Sequence, residues 1–147
     1  MRRGIRLGHV LGIPISLDYS WFIIFGVISL SLSWGALPGA LPGLQWGAYL
    51  LLGVVTTGLL FLSVLIHEIA HSVVARRHGL PVEGITLFVF GGVSQLEEEP
   101  ASPGIEFRMA IAGPLTSLVL AGLFYMAFRG AQGAGWRAVS EVSKQLA

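Results

Sequence analysis

The sequence predicts an α-helical membrane protein with a small β element, and three observations carry that prediction. Of the 147 residues, 54% are hydrophobic and only 12% are charged, where a soluble domain carries about 25% charged residues. Mean hydropathy is +0.76. Three stretches hold no charge at all: Tyr19 to Leu44, Trp46 to Ile66 and Met109 to Phe128. Each is long enough for the roughly 20 apolar residues that a membrane span needs. The expected spans are about 19–36, 46–78 and 107–128.

The first span follows a basic start (Arg2, Arg3, Arg6). A cleaved leader fits poorly, because Pro14 and Asp18 lie between those arginines and the apolar run, and the run exceeds a signal core. Pro38 and Pro42 are expected to end the helix near Trp34. Ahead of it, Ile13, Ile15 and Leu17 alternate as in a short strand, which Pro14 would confine to a sheet edge. A plain loop fits that segment about as well. Asp18 or Ser20 can cap the helix.

The second span has no Gly or Pro from Ser63 to His78 and stops at Gly79, with Pro81 just beyond. Arg76, Arg77 and His78 fill its last turn, where cations suit the negative end of the helix dipole. Ile85 to Phe90 is β-branched and aromatic and meets a Gly91-Gly92 turn, so a strand, a turn and a second strand are expected. Glu97, Glu98 and Glu99 form an acidic run, and the third span starts near Glu106 with Gly113-Pro114 in its first half.

Basic residues set the orientation. Arg2, Arg3, Arg6, Arg76, Arg77 and Arg108 fall on one side; Arg129, Arg137 and Lys144 fall on the other. The excess places the N-terminus and the second loop in the cytoplasm. Net charge is +1, which gives no case for nucleic acid, and the absence of cysteine removes disulfides and thiolate ligands.

The chemistry sits at the end of the second span, in His67-Glu68-Ile69-Ala70-His71. Imidazoles four residues apart share a helix face and can hold one Zn²⁺. Glu68, rotated by about 100°, can act as general base toward a water that zinc acidifies from a pKa of about 15.7 to about 7. Ionisable groups are expensive in hydrocarbon, so three together there point to function. The plain alternative is a chance match on a membrane-surface helix.

A zinc site of this kind needs a third protein ligand. His78 would lie about 16 Å further along the axis and reads as a helix C-terminal residue. His9 lies in the N-terminal segment. Asp18 precedes the first span, and Glu97 to Glu99 read as a solvated loop.

With G-I-P-I-S-L at 12–17, H-E-I-A-H-S at 67–72, H-G-L-P-V at 78–82, F-V-F-G-G-V at 88–93 and A-G-P-L-T-S at 112–117, the chain resembles the site-2 protease family of intramembrane zinc metalloproteases, in its compact microbial subgroup. The resemblance implies His67 and His71 as zinc ligands, Glu68 as catalytic base, and membrane-spanning proteins as substrates in a prokaryotic cell membrane. The family's third ligand is an aspartate of an L-D-G motif on the next helix, and this sequence has no such motif. The resemblance therefore implies the N-terminal part of a larger protease core, with no separate soluble domain, inactive by itself. Ser117 stands where many members carry asparagine.

A substrate helix must unwind before its peptide bonds can be attacked. A strand edge at Thr86 to Phe90 could hold the unwound segment by β-augmentation, with Phe88, Phe90, Gly91 and Gly92 as substrate-binding residues. Two other functions fit the motif. One is a non-catalytic membrane metal-binding or adaptor protein. The other is a metal transporter, which usually shows paired repeats that are absent here. The oligomeric state is not legible in the sequence.

Overall fold

The computed structural model describes residues 4–96, 102–133 and 136–147. The acidic run Glu97 to Glu99 lies outside them. Among the described residues, three helices are long and apolar enough to cross a membrane: Tyr19–Ala40, Trp46–Arg77 and Pro103–Gln132. In chain order the elements are β1 (Gly4–Val10), β2 (Ile13–Asp18), α1 (Tyr19–Ser31), a π-helical turn (Leu32–Ala36), α2 (Leu37–Ala40), α3 (Trp46–Arg77), β3 (Val82–Phe88), β4 (Gly91–Leu96), α4 (Pro103–Gly133) and α5 (Arg137–Leu146). By contacts the chain divides into two compact units, Met1–Ile23 with Leu62–Ser117 and Ile24–Phe61 with Leu118–Ala147.

The first unit is built on a four-stranded sheet in the order β1-β2-β3-β4. β1 and β2 form an antiparallel hairpin in which Val10 faces Ile13. Its two turn residues, Leu11 and Gly12, have φ of 53° and 76°, the positive pair that a tight hairpin turn requires. Arg76 at the end of α3 donates to the Leu11 carbonyl and clasps this turn. β2 then pairs in parallel with β3 through Ile15↔Ile85, Ser16↔Thr86 and Leu17↔Leu87. β3 and β4 are antiparallel.

The expected alternation in β2 is present: Ile13, Ile15 and Leu17 are buried, and with Ile85 and Leu87 they form a core that packs on Val64, Leu65 and Ile69 of α3. Burying such side chains stabilises by about 1.5–3 kcal/mol each. Pro14, however, does not make β2 an edge strand. It precedes the three-residue parallel ladder, so its missing N–H costs no hydrogen bond there.

α1 starts where Asp18 caps it: the Ser20 hydroxyl and backbone N–H donate to Asp18 Oδ1 at 2.6 and 2.9 Å. These two bonds, the hydroxyl first, hold the Asp18 carboxyl below the usual carboxylate range. The helix does not end near Trp34. It runs on to Ala40, because the wider π turn before Pro38 relieves the clash of a proline ring with the preceding carbonyls.

α3 ends in a Schellman motif: Leu80 N–H donates to Ala75 O and Gly79 N–H to Arg76 O, both at 3.1 Å. Gly79 sits at φ 81°, which only glycine adopts without strain. Ala75 and Leu80 pack together with Met109 of α4. α4 starts at Pro103, a turn ahead of Glu106, because Ser102 accepts the Ile105 N–H at its N-terminus and proline fits the first helical position.

In the second unit, Leu37, Leu41 and Tyr49 form a buried cluster. Tyr49 Oη donates to Leu41 O at 2.8 Å. Ser33 Oγ lies 2.6 Å from Ser29 O and 3.1 Å from Tyr49 O, and a Cβ at Gly53 would strike Ser29 and Ser33. Trp34 and Trp46 stack with centroids 5.4 Å apart. The tail folds as α5, where Lys144 lies 3.8 Å from Glu141.

The Asp18 cap gives stability a definite acid dependence. Its folded pKa is depressed, so its contribution is complete above the unfolded value of about 3.9 and is lost as pH falls through the folded value. Asp18→Asn keeps an acceptor and removes the titration. Thermal unfolding in detergent should therefore show the wild-type advantage shrinking below about pH 4, with the difference between the two proteins flat above it.

Candidate metal centre

His67, Glu68 and His71 lie on α3 in the half that carries the sheet, and all three are half-buried. One helical turn brings the two rings face to edge, with centroids 4.7 Å apart. Their Nε2 atoms are 3.0 Å apart.

What turns both Nε2 atoms inward is the partner of each Nδ1. His71 Nδ1 is 2.6 Å from the Met109 carbonyl. A carbonyl only accepts, so this nitrogen carries the hydrogen, and in the neutral ring Nε2 carries the lone pair. His67 Nδ1 is 2.8 Å from Ser117 Oγ. A hydroxyl can donate or accept, so this contact serves either tautomer of His67. With Nε2 protonated, His67 donates to His71 and accepts from Ser117. With Nδ1 protonated, it donates to Ser117 and leaves a second lone pair facing the first.

That second state fits a metal ion. Two Zn–N bonds of about 2.0–2.1 Å at a tetrahedral angle set the nitrogens about 3.3 Å apart, close to the spacing found. Outer hydrogen bonds to both Nδ1 atoms are what metal-binding histidines usually make. Gly113 of α4 lies directly against the rings, where a Cβ would run into both Nε2 atoms. Among the described residues, no third His, Cys, Asp or Glu joins the pair.

The remaining candidates are elsewhere. His78 Nδ1 donates to Val74 O at 2.9 Å and closes the end of α3. His9 lies on β1, which is exposed along its length. Asp18 is engaged by Ser20.

Glu68 turns toward the sheet. Ser94 Oγ of β4 donates to Glu68 Oε2 at 2.9 Å, and the buried Ser72 donates to Ser94 Oγ at 3.1 Å. A Cβ on Gly92 would lie 2.5 Å from Glu68 Cγ, and Gly91 faces Val64. Gly92 thus makes its close approach to α3 itself.

The expected strand edge at Thr86 to Phe90 is not an edge. β3 is interior, with Thr86 paired to Ser16 on one side and to Val93 on the other. Val89 and Phe90 form the turn, and among the described residues the outer strand on this side of the sheet is β4. Phe90 is 90% exposed, and its ring lies 6.0 Å from that of Phe88.

Sequence reading missed Ser72, Ser94, the Met109 carbonyl and the role of Gly113. Ser72 was accessible, since it follows Glu68 by one helical turn. Ser94 and Met109 reach the site only through the folding of distant segments.

Two imidazoles converge on one point, with a carboxylate beside them on the same helix, the arrangement an H-E-x-x-H metallopeptidase motif calls for. Known proteins agree. The profile of peptidase family M50 matches residues 55–146. A protein of Synechocystis sp., named provisionally as a zinc metalloprotease, is 46% identical over 120 residues, which is 82% of this chain and 31% of that protein. A zinc metalloprotease of Methanocaldococcus jannaschii is 36% identical over the same shares of the two chains. The solved site-2 protease from Methanocaldococcus jannaschii superposes with a TM-score of 0.61 at 29% identity, covering 97% of this chain and 60% of that one.

The chain belongs to peptidase family M50, the site-2 protease family. It spans about a third of the length of the curated relatives it matches, 31% of each.

Two substitutions test the centre without touching its ligands. Ser117→Ala should weaken Zn²⁺ binding by about 10–100-fold, as loss of an outer partner of a ligating histidine does. Gly113→Ala should abolish binding, and because its Cβ must push aside two hydrogen-bonded rings it should also lower the thermal unfolding temperature in detergent. Both are read by competition with a chromophoric chelator. Binding by residues 1–147 alone should already be weak, since two nitrogens leave the ion under-coordinated; tight stoichiometric zinc would show a further ligand within the chain.

Proposed function

We propose that the protein hydrolyses peptide bonds within the membrane-spanning segments of other proteins, using Zn²⁺ held by His67 and His71, with Glu68 as the general base. The observation that carries this reading is the 3.0 Å approach of the two Nε2 atoms, one residue from a carboxylate, on a helix long and apolar enough to span a bilayer. The zinc metalloprotease names of the relatives support the metal. A third ligand would come from outside the described residues.

Zinc, when bound, would polarise the scissile carbonyl and make water acidic near neutral pH, at about pH 7. The chain's own part is proton transfer. Glu68 accepts a proton from the attacking water and returns it to the leaving amine, which one carboxylate can do in sequence. The free edge of β4 offers backbone partners for an unwound substrate segment. Phe88 and Phe90, with Gly91 and Gly92 at the start of β4, would lie against it. The arginines on the N-terminal side support a cytoplasmic N-terminus in a prokaryotic cell membrane, with the centre toward the cytoplasmic end of the second span.

The adaptor reading rests on the two-ligand count among the described residues. Cleavage of a single-span substrate by the complete protein in proteoliposomes separates the two. Wild type should cleave, and Glu68→Gln should lose about 10²–10⁴-fold, the usual contribution of a general base. Equal cleavage by both, or none by either, would refute the proposal.

A further inference from the structure

We propose that Ser94, itself held by Ser72, is a positioning residue that fixes the Glu68 carboxylate for proton transfer. The proposal deepens the protease reading and rests on it for its catalytic consequence. The contact itself stands apart from that reading.

Ser94 faces Ile85 across the antiparallel ladder, and Gly92 faces Leu87. Directly opposed residues project to the same face of a sheet. Ile85 and Leu87 belong to the core packed on α3, so Gly92 and Ser94 face α3 as well. On β3 this face carries large apolar side chains, whereas on β4 it carries a glycine and a serine. That small, polar stretch is where Glu68 lies.

The hydrogen bonds have one consistent direction. Ser72 is fully buried and gives its hydrogen to Ser94 Oγ. The Ser94 hydrogen then goes to Glu68 Oε2 at 2.9 Å, in preference to Glu68 O at 3.4 Å, because the carboxylate is both nearer and charged. One carboxylate oxygen is thereby anchored. The other has no partner among the described residues and is left for the proton. Gly92, on the same face of β4, crowds the side chain as well: its backbone lies so near Glu68 Cγ and Cδ that any side chain there would displace the carboxylate. A flexible glutamate on a helix is thus held by a strand, and misplacing a reacting group by about 1 Å can cost about a hundredfold in rate.

Two measurements test this. The first needs neither metal nor turnover. In the metal-free chain in detergent, carbodiimide labelling of Glu68 is followed by mass spectrometry, with exposed Glu106 as internal reference. Ser94→Ala should speed Glu68 labelling roughly two- to tenfold, the range of one lost hydrogen bond, while Ser94→Thr, which keeps the hydroxyl, should match wild type. Unchanged labelling in Ser94→Ala would overturn the contact, whatever the protein catalyses.

The second uses the zinc-loaded complete protein. Ser94→Ala should lower kcat about ten- to a hundredfold with KM and zinc content unchanged, and Ser94→Thr should recover most of kcat. Combined with Glu68→Gln, Ser94→Ala should add nothing. A Ser94→Ala protein as active as wild type, beside an inactive Glu68→Gln, overturns the positioning role and leaves the protease reading intact. Raised activity in Ser94→Ala would overturn it too, since Ser94 would then restrain the base. An active Glu68→Gln instead overturns the protease reading.

Discussion

Two imidazole lone pairs can meet at one point only if both rings are held by their far nitrogens, and the site depends on that constraint. A single helical turn provides the spacing, but it does not fix the rotation of either ring. The Met109 carbonyl fixes His71, and Ser117 fixes His67. Both partners lie on α4, which also contributes the side-chain-free surface at Gly113 in front of the two nitrogens. α4 therefore adds no His, Cys, Asp or Glu to the pair among the described residues, yet it determines where the two rings point. The motif on α3 states the chemistry, and the A-G-P segment on α4 makes it geometrically possible.

The sheet performs the same service for the third residue of the motif. Backbone hydrogen bonds hold β4 in register with β3, and β3 is fixed in turn by the apolar face it shares with β2. A polar group carried on such a strand is placed more firmly than one on a loop. The strand order also determines what the sheet can offer to another chain. With β1 at one margin and β4 at the other, the open edge nearest Glu68 is the one that carries Gly92 and Ser94. Substrate pairing and positioning of the base would then share one short strand.

Local patterns were legible wherever the physics is local. The H-E-x-x-H spacing, the glycine stop at Gly79, the Asp18 cap and the alternation of Ile13, Ile15 and Leu17 depend on neighbours within a few residues. Features that depend on distant segments were not. β1 shows no alternation of burial, being exposed throughout, and is held by its pairing with β2. Pro14 suggested an edge, but whether a strand is interior depends on where its partner's ladder begins. The prolines near Trp34 suggested a stop that a π turn avoids. At the site, the convergence of His67 and His71 on one helix face, with Glu68 beside them, could be read directly from the sequence. Their partners Ser94, Met109 and Ser117 are 26, 38 and 50 residues away from the groups they hold.

The central claim is that both motif histidines bind one ion through Nε2. Zinc K-edge X-ray absorption on the complete protein tests it most directly. The account predicts at least two imidazole nitrogens at about 2.0–2.1 Å with the outer-ring scattering typical of histidine, and the loss of one imidazole in His67→Ala. A zinc environment without imidazole scattering, or one that His67→Ala leaves unchanged, would contradict it.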